Sequence, residues 1–187
     1  LLAPAEIASI IDSCRQAFNV PADAEVTMEV NPETASPQAL SGFRAAGVNR
    51  LSIGVQSFRD DELVTLGRIH DQASARRAVI EARTAGFDNV SIDLMMWLPG
   101  QSLADWRQSI EGLVSIAPNH ASLYVLELYP RAPLRDEMAR ARLSQASDDD
   151  AADMYELAME MAGAAGLAQY EISNVARPGR RSRHNIK

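Results

Sequence analysis

The sequence has a single cysteine, Cys14, so no internal disulfide framework can form. It falls in the pattern Ile7, Ile10, Ile11, Cys14, Phe18, one face of a helix, where a lone cysteine reads as a small buried hydrophobe. No apolar run approaches the roughly 20 residues that a membrane-spanning helix needs. No secretory signal opens the chain, so a cytoplasmic setting is expected. Basic residues are in the minority, 18 against 25 acidic ones, and the net charge of −7 argues against general nucleic-acid binding. An initiator methionine is missing at Leu1, and the chain stops at Lys187 after a dense polar motif. The expectation is an excised portion of a longer protein. What is present, 187 residues with 47% hydrophobic content, suits one soluble globular domain with a substantial core.

The hydrophobic periodicity predicts a regular series of elements. Helices are expected over Pro4–Phe18, from Ser36-Pro37 to Gly47, over Asp60–Leu66, Gln72–Ala85, Leu103–Ile116 and Ala151–Gly163. Strands are expected at Glu25–Asn31, Arg50–Val55, Asn89–Met96, Ala121–Tyr129 and Gln169–Ile172. Met154, Leu157, Ala158 and Met161 form a stripe at helical spacing that reads as core packing. Strands separated by helix-length spacers imply parallel pairing through right-handed crossovers. A doubly wound sheet and a βα barrel both fit that pattern.

Parallel α/β folds place their chemistry at the carboxyl ends of strands. Glu29 and Asn31-Pro32-Glu33 close the first strand, Gly54 and Gln56 the second, while Asp93 lies in the third and Glu127 in the fourth. Arg68 follows in Leu66-Gly67-Arg68-Ile69-His70. A carboxylate between Ile92 and Leu94 is costly unless it is paired or faces a polar site. Structural ion pairs explain one such residue. Several on one rim suggest a ligand with hydroxyl or ammonium donors for Asp93 and Glu29 and an anionic group for Arg68.

Four stretches resemble the HemN/HemW branch of the radical-SAM superfamily, and the last resembles the heme-chaperone (HemW) type. They are Met28-Glu29-Val30-Asn31-Pro32-Glu33-Thr34; Arg50-Leu51-Ser52-Ile53-Gly54-Val55-Gln56-Ser57-Phe58; Asn89-Val90-Ser91-Ile92-Asp93-Leu94 with Leu98-Pro99-Gly100-Gln101; and Tyr170-Glu171-Ile172-Ser173-Asn174 leading to Arg183-His184-Asn185. The resemblance implies an α/β fold, a partial (β/α)6 TIM-like barrel lacking roughly the first two βα units. Residues 1–166 would form the barrel portion and 167–187 the start of a C-terminal segment.

The resemblance also implies roles. Glu29 matches an acidic contact to S-adenosyl-L-methionine (SAM), Gln56 and Asp93 a pair near the ribose hydroxyls, Arg68 the holder of the methionine carboxylate, and Glu127 a contact near the nucleoside. The family holds a [4Fe-4S] cluster through a CxxxCxxC loop upstream of the matching residues. That loop is not in this sequence, and Cys14 cannot replace three thiolates, so a cluster is expected in the intact protein only. The sequence departs from the family at Met96-Trp97, where Tyr-Gly is usual, and at Val175, where an aromatic residue is usual.

Arg177, Arg180, Arg181, Arg183 and Lys187 crowd the last residues, with His184 among them. A solvated basic tail is the plain explanation. Through the resemblance, His184 becomes a candidate heme ligand and the arginines candidate partners of propionates. His70 and His120 have no comparable context and are expected to be structural or exposed. The implied function is a heme chaperone that passes heme to respiratory proteins. The alternative is an oxygen-independent coproporphyrinogen III dehydrogenase acting by radical decarboxylation. Peripheral membrane association and a homodimer are compatible with either.

Overall fold

The computed structural model describes residues 2–129 and 132–186. The chain runs α1 (Pro4–Ala17), β1 (Thr27–Val30), α2 (Pro37–Ala46), β2 (Arg50–Gln56), α3 (Asp60–Thr65), α4 (Gln72–Thr84), β3 (Val90–Met96), α5 (Leu103–Ser115), β4 (His120–Val125), α6 (Pro133–Ala141), α7 (Asp148–Ala164), β5 (Ala168–Glu171) and β6 (Asn174–Ala176). Short 3-10 turns cover Pro32–Thr34 and His184–Ile186.

Local chemistry sets the helix boundaries. Ser36 caps α2 by accepting from the Ala39 amide, and Gly47 ends it at φ 108°, a left-handed conformation that costs glycine nothing. Ser102 with Asp105 and Ser147 with Asp150 form capping boxes at α5 and α7. The second box starts α7 at Asp148, three residues before the expected Ala151, and puts three aspartates against the positive end of the helix dipole. Helix α6 was not anticipated, because its nine residues are polar on average and Leu134 and Met138 are its only large apolar side chains.

The sheet order is β1-β2-β3-β4-β6-β5. Strands β1 to β4 pair in parallel, with Glu29 beside Ser52 and Asp93 beside Ser122. The expectation of parallel strands fails at the far edge. Residues 172 and 173 are all that separate β5 from β6, too short for a crossover, so the two form an antiparallel hairpin. β6 then pairs antiparallel with β4, Asn174 opposite Ser122. The fourth strand also ends earlier than expected, at Val125, leaving Glu127 beyond it.

The strands alternate sharply. Leu51, Ile53, Val55, Val90, Ile92, Leu94, Ala121, Leu123 and Val175 face the helices and join Leu40, Phe43, Val79, Trp106, Ile110, Leu113 and Met154 in one core. The opposite face carries Thr27, Glu29, Arg50, Ser52, Ser91, Asp93, His120, Ser122 and Asn174. A sheet with its helices on one face and polar residues on the other is an arc of a barrel, not a doubly wound sheet. Val175 belongs to the apolar face, fully buried.

Cys14 differs from expectation. It is exposed, and no residue of α1 is fully buried. Ile7 and Ile11 lean on the core, while Ile10 and Phe18 point outward, at 50% and 70% exposure.

Candidate functional site

Asp93 is the centre of the polar face. Ser52 donates to both of its carboxylate oxygens, at 2.9 and 3.1 Å, and Ser122 stands beside it in register on the other neighbouring strand. Burial pushes the Asp93 carboxyl up to about 6, against the opposing pull of these serines, and Glu29 adds a further upward push. The carboxylate is therefore costly in the folded chain and favours a ligand that brings it hydrogen-bond donors.

A cavity of about 400 Å³ opens on this face, lined by Thr27, Glu29, Arg50, Ser52, Ser122, Tyr124, Ser182, His184 and Asn185. Glu29 and His184, far apart in sequence, thus share one basin, with Asp93 behind Ser52. Gln56 sits at the carboxyl end of β2 with φ 69°. A Cβ on Gly54 would meet Gln56 Nε2 at 3.0 Å and Asn31 Oδ1 at 3.2 Å, so the absent side chain lets these two amides close over the strand. Two further candidates lie apart. Arg68 is half-buried in the loop between α3 and α4 and lines none of the described cavities. Glu127 is exposed and accepts a hydrogen bond from the Tyr129 hydroxyl at 3.1 Å.

Buried polar contacts hold the loops around the site. His70 Nε2 donates to the Val55 carbonyl at 3.0 Å, and Nδ1 lies 3.1 Å from Glu33 Oε2, tying the Arg68 loop to the ends of β1 and β2. Glu62 accepts from Ser57 and, at 3.0 Å, from Gln101, whose side-chain oxygen accepts the Leu98 amide. This fastens Ser57-Phe58 to Leu98-Pro99-Gly100-Gln101, and burial raises the Glu62 carboxyl. Trp97 adopts φ 61°, the conformation glycine would take without strain. Its indole donates to the Ala146 carbonyl at 3.0 Å and does not line the basin.

The basic tail lies on the surface, as the plain explanation expects, with Arg181 and Arg183 exposed, yet its described arginines are pinned to the body of the chain, while Lys187 lies outside the described residues. Arg177 bonds the Pro118 carbonyl, Arg180 pairs with Asp88 at 3.4 Å, Arg183 pairs with Asp23 at 3.1 Å, and Arg181 lies over the Tyr170 ring. These partners precede β1, β3 and β4, so the tail wraps the amino ends of the strands. His120 is fully buried between Ser91, 2.7 Å from Nδ1, and the Tyr170 hydroxyl, 2.7 Å from Nε2. Tyr170 in turn accepts the Ser182 amide at 3.2 Å. Burial, aided by Arg50, lowers His120 to about 3 and keeps it neutral. Within the same motif, Glu171 accepts from Asn174 and from the Ser173 amide, closing the β5–β6 hairpin.

His120 is structural, one of the two outcomes expected for it, while Arg50, Ser52, Ser91, Ser122, Tyr124 and Glu62 were not singled out from the sequence. The signal was there for most of them. Arg-Leu-Ser-Ile-Gly-Val-Gln and Val-Ser-Ile-Asp-Leu alternate polar and apolar residues, the mark of strands with one wet face. Glu62 gave no such signal, since it reads as one of several acids in a first helical turn.

The profile of the Radical SAM superfamily matches residues 2–113. The chain belongs to the radical SAM superfamily. It is similar to the heme chaperone HemW of Bacillus subtilis, 38% identical over 186 residues, covering 99% of this chain and 49% of that protein. It is similar to the Escherichia coli heme chaperone HemW at 37% over 187 residues, covering 100% and 48%. The mitochondrial radical S-adenosyl methionine domain-containing protein 1 of Bos taurus is 41% identical over 185 residues, covering 99% and 42%. Among solved structures, E. coli coproporphyrinogen III oxidase (HemN), a radical SAM enzyme, superposes with a TM-score of 0.81 at 24% identity, covering 99% of this chain and 42% of that one. That likeness shows the fold, a partial TIM-like barrel. The chain spans less than half the length of the curated relatives named here.

The superfamily implies SAM and a [4Fe-4S] cluster in general. The residues present do not fit the cluster: one exposed cysteine is available, and among the described residues no group of three or more His, Cys, Asp or Glu could hold a metal ion. They do fit a polar nucleoside, given acceptors at Asp93 and Glu29 and a glycine cradle at Gly54. No described helix is long and apolar enough to cross a membrane.

Proposed function

We propose that the intact protein is a SAM-binding heme chaperone that holds heme and passes it to respiratory proteins in the cytoplasm. One observation carries this reading: relatives named as heme chaperones match essentially the whole chain at 37–38% identity, through the Arg183-His184-Asn185 segment. In this reading Glu29, Gln56, Asp93, Arg68 and Glu127 contact SAM. Asp93 and Gln56 take the ribose hydroxyls, and Arg68 takes the methionine carboxylate in a bidentate fork that lysine cannot reproduce. His184 is the heme ligand, and its exposure in a basin wall leaves its ring open to a ligand. Residues 167–187 begin the C-terminal segment that completes the heme site. The [4Fe-4S] cluster belongs to the part of the intact protein outside this chain.

The test is the intact protein with its cluster reconstituted, given hemin, SAM, reductant and coproporphyrinogen III. Retention of hemin, transfer to an apo-cytochrome and no protoporphyrinogen are expected. A His184→Ala change in the Soret spectrum identifies the ligand. Sustained decarboxylation over many turnovers, lost in Asp93→Ala, overturns the chaperone reading in favour of the dehydrogenase.

A further inference from the structure

Among the described residues Arg50 is the one buried arginine or lysine. It is 4% exposed, its Nε has no hydrogen-bond partner, and its guanidinium makes no ion pair among the described residues. It nevertheless lines the basin shared by Glu29, Ser52 and His184. A buried arginine left in this state is expensive, because its lost hydration is not replaced by a fixed partner. The nearby carboxylates do not supply one. Asp93 is engaged by Ser52, and neither Asp93 nor Glu29 comes within ion-pair distance of Arg50. The imidazole of His120 is held neutral between Ser91 and Tyr170, so it offers Arg50 no charge. The basin is therefore bipolar, acidic at Glu29 and cationic at Arg50, with serine hydroxyls between.

We infer that Arg50 is a carboxylate-binding residue at the floor of this basin, receiving an anionic oxygen of the molecule that occupies it. The guanidinium fork matches a planar carboxylate, and a buried site strengthens that match by excluding water. The inference rests on the basin being a ligand site, and the carboxylate is a porphyrin propionate or, should Arg50 rather than Arg68 hold it, the amino-acid end of SAM.

Both sources are separated by paired ligands on the intact protein. Hemin is compared with hemin dimethyl ester, whose propionates are masked, and SAM with decarboxylated SAM, in wild type and in Arg50→Met. For one of the two pairs, wild type should prefer the carboxylate form by about tenfold or more, and Arg50→Met should lose that preference while binding the masked form as wild type does. Arg50→Lys, which keeps the charge without the fork, should retain part of the preference and serves if Arg50→Met fails to fold. Preference lost for hemin assigns a propionate, and for SAM the methionine carboxylate. Preference unchanged in both pairs overturns the inference, as does a variant that is less stable yet discriminates like wild type, since Arg50 then pairs with a protein carboxylate. Failure of wild type to bind hemin sinks the chaperone reading alone, because the SAM pair still decides Arg50.

Discussion

Ile92 and Asp93 are neighbours in β3 with opposite fates, and the two faces of the sheet follow the same division. The helix side is built from Leu51, Ile53, Ile92, Leu94 and Leu123, all at most 1% exposed and packed into one core. The basin side places Arg50, Ser52, Ser91, Asp93, His120 and Ser122 at alternate positions of the same strands. One face supplies the burial that folds the chain. The other carries an arginine with no partner at its Nε and a carboxyl raised to about 6, features that cost stability on their own, beside a neutral histidine held by its hydrogen bonds. A face that spends stability in this way is explained by a ligand.

That contrast can be broken most severely from the helix side. Ile92→Ala should destabilise by about 2–5 kcal/mol, the cost of a cavity in a tight core, and leave SAM affinity of the folded fraction unchanged. Denaturant unfolding and calorimetry together check this. Loss of affinity in the folded variant would mean that the faces are not independent.

His120→Ala on the basin side should cost about 1–3 kcal/mol by orphaning Ser91 and Tyr170. Its sharper signature is in pH. A histidine lowered from 6.5 to about 3 contributes stability that is present above pH 6.5 and lost as pH falls toward 3. The variant should show a flatter acid limb in thermal melts between pH 6.5 and 4.

Asp93→Asn should go the other way. Because the folded carboxyl is raised from 3.8 to about 6, its contribution is present below 3.8 and lost as pH rises through 6. At pH 7 the variant should equal or exceed wild type in stability, by at most about 3 kcal/mol for a shift of roughly two units. Urea unfolding at pH 4 and pH 7 tests that sign.

Much of the fold was legible because caps and periodicity agree with the final packing. Ser102 with Asp105, Ser36-Pro37 and the glycine at position 47 mark helix ends by local chemistry alone. The hairpin was not legible as such, since Gln169–Ile172 reads as one more strand and only tertiary pairing places Asn174 against Ser122. Cys14 misled for a related reason: a helical apolar pattern shows that a face exists, and what covers it depends on neighbours. In the candidate site, Glu29, Gln56 and Asp93 stood out as polar residues in apolar strands. Arg50 did not, because a cation at a strand start reads as an edge charge until its burial is known, whereas His120, expected to be structural or exposed, is structural.

The smallest effect expected is at Cys14. As an exposed residue on α1, Cys14→Ser should change stability by less than about 0.5 kcal/mol, where a buried cysteine would cost more.

The central claim, that the polar face of the sheet is the ligand surface, is tested most directly by calorimetric titration of the cluster-reconstituted intact protein with SAM at pH 5 and pH 7.5. Hydroxyl donors favour ionised Asp93, so wild type should bind at least about tenfold more tightly at the higher pH. Asp93→Asn should bind weakly at both values while melting no earlier than wild type at pH 7.5. An Asp93→Asn variant that binds SAM as tightly as wild type, with the same pH dependence, would contradict the account.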